Sequence, residues 1–285
     1  MEPAEKIGVL GTGTMGAGIV QLAAQSGYAV VACDSSVEAL EKAQLYVRGG
    51  MERFSRRGAF SEAEADAHYE RIRWTTNAED FGETEAVIEA IVEKVEPKKE
   101  ALAALDALLP AGACIFTNTS SISITDLASA TGRPEKVCGT HFFTPPPVRE
   151  AVEIPRGSAT SDETAERAKE LVRSFGKEPV VVDGDVPGFV ANRFLVPMLI
   201  EACRLLEADA APKRDIDLIV KKGLGFPIGP FELGDLIGLD VALDVTSRVH
   251  EATGDPYYEP PQTLRSLVRS GDLGRKTGRG FYRYD

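Results

Sequence analysis

A glycine-rich loop near the N-terminus constrains the fold more than any other feature of the sequence. The residues from Gly11 to Gly16 read GTGTMG; they follow the apolar run Lys6–Leu10 and open a segment with helical periodicity. The first glycine permits a tight turn, the second lets a ligand approach the backbone, and the third lets a helix pack closely. A strand, a glycine loop and a helix in this order predict a dinucleotide-binding unit.

The loop and the strand after it also indicate which dinucleotide is bound. Backbone amides at a helix N-terminus attract phosphates. The predicted contacts are Gly11, Gly13, Thr14, Met15 and Gly16. Asp34 ends the second apolar run, 18 residues after Gly16, where a carboxylate suits an adenosine ribose and repels a 2′-phosphate. We therefore expect NAD rather than NADP. FAD uses the same fingerprint, but no further FAD-contact segment is identifiable in the sequence.

The first half of the chain alternates short apolar runs with amphipathic segments, which predicts an α/β fold with a Rossmann-type, doubly wound and mainly parallel sheet. The predicted strands are Lys6–Leu10, Ala29–Cys33, Val87–Ile91, Cys114–Asn118 and Val137–His141. Polar helical patterns between residues 37 and 71 are broken at Gly58–Ser61. They predict a helical hairpin that projects from the sheet, with Ser61 capping its second helix.

Two later runs, Ala151–Ile154 and Pro179–Val182, bracket a helix from Asp162 to Phe175 that Ser161 caps, and we expect them to extend the same sheet. The turn-forming cluster Asp183–Gly188 then ends the strand patterns. We place a domain boundary there, with a first domain over residues 1–184 and a smaller all-α domain over residues 185–285. The predicted helices of the second domain are Val190–Glu207, Arg214–Lys222, Phe231–Glu251 and Pro260–Ser270.

Composition excludes several classes of function. The 32 Lys plus Arg residues against 44 Asp plus Glu give a formal net charge of -12, which opposes binding to nucleic acid or to an anionic membrane. No apolar run is long enough to span a bilayer or to form a signal-peptide core. The four cysteines are scattered without metal or redox spacing, which predicts reduced thiols and no metal site. We expect a soluble, cytoplasmic protein.

Histidine is scarce, and one of the three histidines lies where a ligand is expected. His141 ends a predicted strand, Ser120 follows the neighbouring strand, and Glu153 lies on the next extended segment. Ligands bind at the carboxyl edge of such sheets. Oxidation of an alcohol needs a base of near-neutral pKa, and a carboxylate on its other ring nitrogen fixes the tautomer. A hydrogen-bonded structural histidine is the alternative. No GxSxG elbow surrounds Ser120, which argues against hydrolysis.

Seven motifs, in order along the whole chain, make the sequence resemble the L-3-hydroxyacyl-CoA dehydrogenase family, including bacterial 3-hydroxybutyryl-CoA dehydrogenases. They are Gly11–Gly18 (GTGTMGAG), Glu89–Glu93 (EAIVE), Asn118–Ser121 (NTSS), His141–Thr144 (HFFT), Pro187–Arg193 (PGFVANR), Gly229–Asp240 (GPFELGDLIGLD) and Gly274–Tyr282 (GRKTGRGFY).

The resemblance implies roles for single residues. It makes His141 and Glu153 the catalytic pair, and Ser120 and Asn192 donors to the substrate oxygen at C3. Its cofactor contacts are the glycine loop with Asp34, Glu93, Lys98, Ser120, Thr144 and Lys276, although a solvated surface lysine is the alternative for Lys98 and Lys276. It also implies a homodimer formed through the C-terminal domain, with NAD as cofactor and an acyl-CoA as substrate.

The sequence departs from the family pattern directly after His-Phe-Phe. Thr144 stands where the family usually has asparagine, so a hydroxyl replaces an amide and a nicotinamide or substrate contact is altered. Arg149 and Glu150 follow in an unusual loop, which leaves a polar acyl group open as an alternative to a solvent-facing loop.

An arginine cluster on the predicted hairpin suggests where the coenzyme lies. Arg48, Arg53, Arg56 and Arg57 stand together in an otherwise acidic protein, and we expect Arg53, Arg56 and Arg57 to meet the phosphates of coenzyme A. A solvated helix face is the alternative. An acyl-carrier protein as the thioester carrier, and a non-catalytic NAD-binding protein, are the remaining alternatives to an acyl-CoA dehydrogenase.

Overall fold

The computed structural model describes residues 5–284. The chain divides into two compact units, and the division falls between Val186 and Pro187, two residues beyond the predicted boundary. Asp185 belongs to the first unit because its carboxylate accepts hydrogen bonds from the amides of Ile124 and Thr125, at 3.0 and 2.8 Å, and from the hydroxyl of Ser123.

The first unit is built on a six-stranded parallel sheet. Its strands are β1 (Lys6–Leu10), β2 (Ala29–Cys33), β3 (Ile72–Thr75), β4 (Ala86–Glu89), β5 (Cys114–Thr117) and β6 (Val137–Gly139). Their spatial order is β3-β2-β1-β4-β5-β6, and every pair is parallel. The chain reverses direction across the sheet between β1 and β4, the switch point where such sheets bind ligands. This confirms the predicted fold class.

Helices cover both faces of the sheet. The crossover from β1 to β2 runs in one direction along the sheet and the crossover from β4 to β5 in the other, so right-handed connections place their helices on opposite faces. The helices are α1 (Thr14–Gln25), α2 (Val37–Arg56), α3 (Glu62–Tyr69), α4 (Val95–Leu108), α5 (Ile124–Ala128) and α6 (Asp162–Ser174). The hairpin of α2 and α3 is confirmed, and Ser61 caps α3 in a reciprocal exchange with Glu64. Ser161 caps α6 through the amide of Thr164, as predicted.

The expectation that later strands extend the parallel sheet is wrong. β7 (His141–Phe142), β8 (Ala151–Pro155) and β9 (Glu178–Val182) form a separate three-stranded sheet in that order. The predicted strand Val137–His141 ends at Gly139, because β8 returns antiparallel and pairs with β7 rather than with β6. Gly139 allows Pro155 to cross closely, since a Cβ there would lie 2.3 Å from the Pro155 ring. The edge strand β3 was not predicted from the sequence.

The second unit is all helical, as predicted. Its helices are α7 (Ala191–Glu207), α8 (Lys213–Leu218), α9 (Pro230–Ile237), α10 (Leu239–Thr253) and α11 (Gln262–Arg269), and a π-helical turn at Ile219–Gly223 continues α8. The single helix predicted over Phe231–Glu251 is wrong. Gly238 adopts φ of 105°, a conformation that favours glycine, and separates α9 from α10. Among the described residues, no helix combines the length and the apolar character that crossing a membrane requires.

Two buried carboxylates in the second unit connect its sequence motifs. Asp235 accepts hydrogen bonds from the amides of Phe281 and Tyr282, both at 2.8 Å, and from the Tyr284 hydroxyl. Asp217 accepts from the amide of Phe231 at 2.9 Å and from the Tyr282 hydroxyl at 2.8 Å. The C-terminal segment is therefore held on α8 and α9 by hydrogen bonds that satisfy otherwise buried polar groups.

Candidate active site

The glycine loop joins β1 to α1 at the switch point of the sheet. Gly11 has φ of 91°, and a Cβ there would lie 2.8 Å from the Ala90 carbonyl. A Cβ at Gly16 would lie 1.8 Å from the Gly11 carbonyl oxygen, so the start of α1 can follow the turn this closely only with glycine. Gly13 differs, since among the described residues nothing beyond its own neighbours in the chain lies within 4 Å of its Cβ position. That open space is a cradle that a side chain would fill.

The N-terminus of α1 fits a phosphate. Gly13 is the N-cap residue, no side chain among residues 5–284 caps this end by a hydrogen bond, and the first turn of α1 contains no acidic residue. The amides and the positive end of the helix dipole are thus directed to the space above Gly13. The loop therefore fits the pyrophosphate of the predicted dinucleotide.

Asp34 follows β2 and holds the glycine loop. One carboxylate oxygen accepts from the amide and hydroxyl of Thr12, at 2.8 and 3.1 Å, and the other accepts from the Ser36 amide at 3.0 Å. The carboxylate is therefore fixed at the carboxyl end of the strand. Its contact with a ribose stays a prediction.

Glu93 and the turn after β5 form a second polar cluster. One Glu93 oxygen accepts from the Thr119 hydroxyl at 2.6 Å, the Ser120 amide at 2.8 Å and the Ser120 hydroxyl at 3.1 Å. Lys98 lies 3.5 Å from the other oxygen and is only 1% exposed, so it is not a solvated surface lysine. Burial alone would raise the pKa of Glu93, but Lys98 and these donors together lower it.

The second sheet pairs His141 with Glu153. The two residues are directly opposite in the antiparallel register of β7 and β8, and Nδ1 of His141 lies 2.7 Å from a Glu153 oxygen. Both side chains are buried, at 7% and 4% exposure. A buried carboxylate on Nδ1 favours the tautomer that leaves Nε2 as the basic nitrogen. The arrangement is that of a general base with an orienting carboxylate.

The loop after β7 packs on the helix that follows the glycine loop. The hydroxyl of Thr144 lies 3.0 Å from the sulfur of Met15, and a Cβ at Gly18 would lie 2.7 Å from the Pro146 ring. Gly18, the last residue of the GTGTMGAG motif, is therefore a glycine because any side chain there would collide with the Pro146 ring. The contact between Thr144 and Met15 joins the histidine loop to the predicted phosphate site.

Two predicted site residues lie in the second unit. Asn192 is 7% exposed in the first turn of α7, which follows a turn where Gly188 and Phe189 have φ of 77° and 51°. Lys276 pairs with Asp240, with nitrogen to oxygen distances of 2.5 and 2.6 Å. Their contacts with substrate and cofactor stay predictions.

The arginines of α2 differ in their surroundings. Arg48 is 3.4 Å from Asp66 and stacks on the Tyr69 ring at 4.2 Å, so it stabilises the contact between α2 and α3. Arg53, Arg56 and Arg57 are exposed, and no carboxylate of residues 5–284 lies within ion-pair distance of them. Arg56 lines a cavity of about 360 Å³ between α2 and α3.

Comparison with known proteins identifies the family. The family model described as the NAD binding domain of 3-hydroxyacyl-CoA dehydrogenase matches residues 6–186, and the model of its C-terminal domain matches residues 188–284. The chain belongs to the 3-hydroxyacyl-CoA dehydrogenase family. This is a family of NAD-dependent oxidoreductases, so the predicted cofactor and enzyme class are confirmed.

Relatives match over the full length. The chain is 41% identical to a probable 3-hydroxybutyryl-CoA dehydrogenase of Deinococcus radiodurans, over 98% of this chain and 100% of that protein. It is 41% identical to the 3-hydroxybutyryl-CoA dehydrogenase of Bradyrhizobium diazoefficiens, over 98% and 95%. The crystal structure of (S)-3-hydroxybutyryl-CoA dehydrogenase PaaH1 from Ralstonia eutropha superposes with a TM-score of 0.94 at 40% identity, covering 99% of both chains.

Sequence reasoning did not single out some residues that support the site. Asn118 accepts a hydrogen bond from the Phe142 amide at 2.9 Å and so ties the end of β5 to β7. Thr119 supports both Glu93 and the amide of Ile122. The NTSS motif contained these residues, but a motif does not show which of its members face substrate and which hold the turn.

Two glycine variants separate cofactor binding from folding. Gly13 has extended backbone angles that alanine also adopts, so Gly13→Ala should fold normally. Its methyl group should weaken NADH binding at least about tenfold, or about 1.4 kcal/mol, by filling the phosphate space. Gly16→Ala should instead lower the unfolding free energy by about 1–3 kcal/mol, because the turn must shift. Cofactor fluorescence and thermal unfolding measure the two effects. Wild-type NADH affinity in Gly13→Ala would contradict the assignment of the loop.

Proposed function

We propose that the protein catalyses the reversible, NAD-dependent oxidation of an L-3-hydroxyacyl-CoA to the 3-ketoacyl-CoA, with a short chain such as 3-hydroxybutyryl as the preferred acyl group. The observation that carries the proposal is the buried pair of His141 and Glu153 in one unit with the glycine loop. The names of full-length relatives at about 40% identity support the acyl group and the coenzyme.

In the proposed reaction His141 is the general base. Its Nε2 takes the proton of the 3-hydroxyl group, while bound NAD accepts the hydride that leaves C3. The imidazolium that forms is stabilised by the Glu153 carboxylate on Nδ1, and it returns the proton in the reverse direction. Burial of both side chains strengthens this electrostatic stabilisation, since water screens the pair poorly.

Ser120 is proposed to contact the same substrate oxygen. A serine hydroxyl has one proton and two lone pairs. The single proton of the substrate alcohol goes to His141, so Ser120 contacts the C3 oxygen as a donor. In the structure the Ser120 hydroxyl donates to Glu93 at 3.1 Å, and it turns from Glu93 to donate to the substrate. Asn192 stays a predicted second donor to the C3 oxygen.

The exposed arginines of α2 are proposed to bind the phosphates of coenzyme A. Arg53, Arg56 and Arg57 lack carboxylate partners among the described residues, and guanidinium groups bind phosphate in a bidentate manner. An acidic carrier protein would meet the same surface. A polar acyl group is not favoured, because the Arg149 side chain donates to the Thr144 carbonyl at 3.0 Å.

We also propose a cytoplasmic homodimer formed through the second unit. Exposed large apolar side chains concentrate there, including Phe194 at 77%, Leu224 at 69% and Ile219 at 62% exposure. Such a surface is typical of subunit contacts. A reducing compartment suits the four buried free cysteines, since burial raises the pKa of Cys138 and of Cys203 to about 12 and keeps both thiols unreactive.

Substitution of the catalytic pair tests the reaction. His141→Gln and Glu153→Gln should each lower kcat by about 10²–10⁴-fold, because the first removes the base and the second no longer fixes its tautomer. NADH binding should be unchanged in both. The measurements are NAD reduction with 3-hydroxybutyryl-CoA and NADH fluorescence. His250→Gln is the matched control and should turn over normally. Full activity of His141→Gln would refute the mechanism.

Charge reversal tests the coenzyme surface. The double variant Arg56→Glu, Arg57→Glu should raise KM for an acyl-CoA about tenfold, since each exposed ion pair contributes about 0.2–1 kcal/mol and a tenfold change corresponds to about 1.4 kcal/mol. The KM for the matching pantetheine thioester, which lacks the nucleotide, should not change. An equal KM for acyl-CoA in variant and wild type would exclude this surface.

Sedimentation tests the dimer. The wild type should sediment as a dimer at micromolar concentration, and Phe194→Glu as a monomer, because a buried unpaired charge opposes association. Leu45→Glu on α2 is the control, since Leu45 is equally exposed at 76% but lies in the first unit. A monomeric wild type, or a dimer lost in Leu45→Glu and kept in Phe194→Glu, would contradict the proposal.

A further inference from the structure

Beneath Glu93 the first unit contains a fully buried ion pair. Glu89, the last residue of β4, is 0% exposed and Lys98 on α4 is 1% exposed, with 2.6 Å between the ammonium nitrogen and a Glu89 oxygen. The same Glu89 oxygen accepts from the Ile91 amide at 2.7 Å, and the other oxygen accepts from the Thr117 hydroxyl at 2.6 Å. One cation, one amide and one hydroxyl therefore satisfy this carboxylate.

Stability alone does not account for the pair. Removing two charges from water costs several kcal/mol per ion, and apolar residues of similar size often stabilise a fold as well or better. The pair is as deeply buried as its apolar neighbours in sequence, since Ile88 before Glu89 and Leu102 one turn after Lys98 are both at 0% exposure. A charged pair in this position is explained better by what it holds in place.

Two series of polar contacts connect Glu89 to Ser120, the predicted substrate contact. Along the first, Lys98 lies between Glu89 and Glu93, at 2.6 and 3.5 Å from their oxygens. Glu93 in turn accepts from the amide and hydroxyl of Ser120. Both steps are charge-assisted hydrogen bonds or ion pairs, which fix geometry more firmly than neutral contacts.

The second path runs through β5. The Thr117 hydroxyl donates to Glu89 and accepts from the Thr119 amide at 3.3 Å. The Thr119 hydroxyl then donates to Glu93 at 2.6 Å. Glu89 thus fixes the ammonium on one side of Glu93 and the turn on its other side. The three side chains Glu89, Lys98 and Glu93 carry two negative charges and one positive charge, so Lys98 is shared.

We propose that Glu89 is a positioning residue, which holds Lys98 and Thr117 and thereby orients Glu93 and the Ser120 hydroxyl toward cofactor and substrate. Glu89 withdraws the ammonium from Glu93, so that Glu93 keeps its hydrogen bonds to the turn. Without the Glu89 charge, Lys98 moves onto Glu93 and competes with Ser120 for the same carboxylate. The part of this inference that concerns the substrate rests on the proposed function, and the part that concerns NADH binding does not.

The test is Glu89→Gln in the full chain. Thermal unfolding, NADH affinity by cofactor fluorescence, and kcat/KM with 3-hydroxybutyryl-CoA are measured for it. We expect kcat/KM to fall about tenfold or more, as displacements of about 1 Å near a reacting centre do, and the NADH Kd to rise several-fold. Wild-type values of both quantities would overturn the proposal. Glu85→Gln, an exposed carboxylate before β4, is the control and should behave as wild type.

A double-variant cycle tests whether Glu89 acts through Lys98. Because the path through Thr117 does not involve Lys98, Glu89→Gln combined with Lys98→Met should lose more NADH affinity and kcat/KM than Lys98→Met alone, but less than the product of the two single-variant losses. Losses that multiply would show independent effects and overturn the proposal. A wild type that binds NADH but oxidises no thioester would refute the proposed function. In that case the NADH affinities of the single and double variants still decide the role of Glu89.

If Glu89→Gln does not fold, two variants of Thr117 test the same proposal. Thr117→Val removes the hydroxyl that donates to Glu89 and keeps the shape, and Thr117→Ser restores the hydroxyl. We expect several-fold weaker NADH binding and lower kcat/KM in the valine variant, and rescue in the serine variant. Thr84→Val is the control for loss of a buried hydroxyl, since the Thr84 hydroxyl donates to the nearby Phe81 carbonyl at 2.8 Å, away from Glu89. Wild-type behaviour of Thr117→Val, or failure of serine to rescue, would overturn the proposal.

Discussion

The antiparallel pairing of β7 with β8 is the interaction on which the site depends. It brings His141 opposite Glu153, so a 2.7 Å hydrogen bond between two buried side chains follows from backbone register rather than from flexible side-chain reach. A shift of β8 by one residue would turn Glu153 to the other face of the sheet, away from His141. The same pairing turns the chain away from the parallel sheet and directs the loop at Thr144–Pro146 onto α1. The proposed base and the proposed cofactor loop are thus parts of one packed unit.

The sequence predicted those parts of the fold that local pattern determines. Buried parallel strands such as Ala29–Cys33 are continuous apolar runs, and the glycine loop has spacing that few other structures require. The approach of His141 to Glu153 was predictable because only three histidines exist and His141 ends a predicted strand just before the extended segment that contains Glu153. Their catalytic roles stay a prediction. The caps at Ser61 and Ser161 were predictable for the same local reason.

Other features depend on contacts that are distant in sequence. β3 contains Arg73 and lies at the sheet edge, half exposed, so no apolar run marks it. The second sheet forms because β8 pairs with β7, a choice between two partners that periodicity does not encode. Gly238 interrupts a continuous helical pattern, and only its positive φ reveals the break. Glu89 belongs to the EAIVE motif, but the motif alone does not show that Glu89 is buried or that it accepts hydrogen bonds from Lys98, the Ile91 amide and the Thr117 hydroxyl.

We propose that this chain oxidises a 3-hydroxyacyl thioester with NAD through the His141 and Glu153 pair. The most direct measurement is NADH formation with a panel of L-3-hydroxyacyl thioesters that vary in chain length, terminal polarity and carrier. We expect the highest kcat/KM with short, apolar acyl groups on coenzyme A and no activity that depends on NADP. Absence of NADH formation with every thioester of the panel, by protein that binds NADH normally, would contradict it.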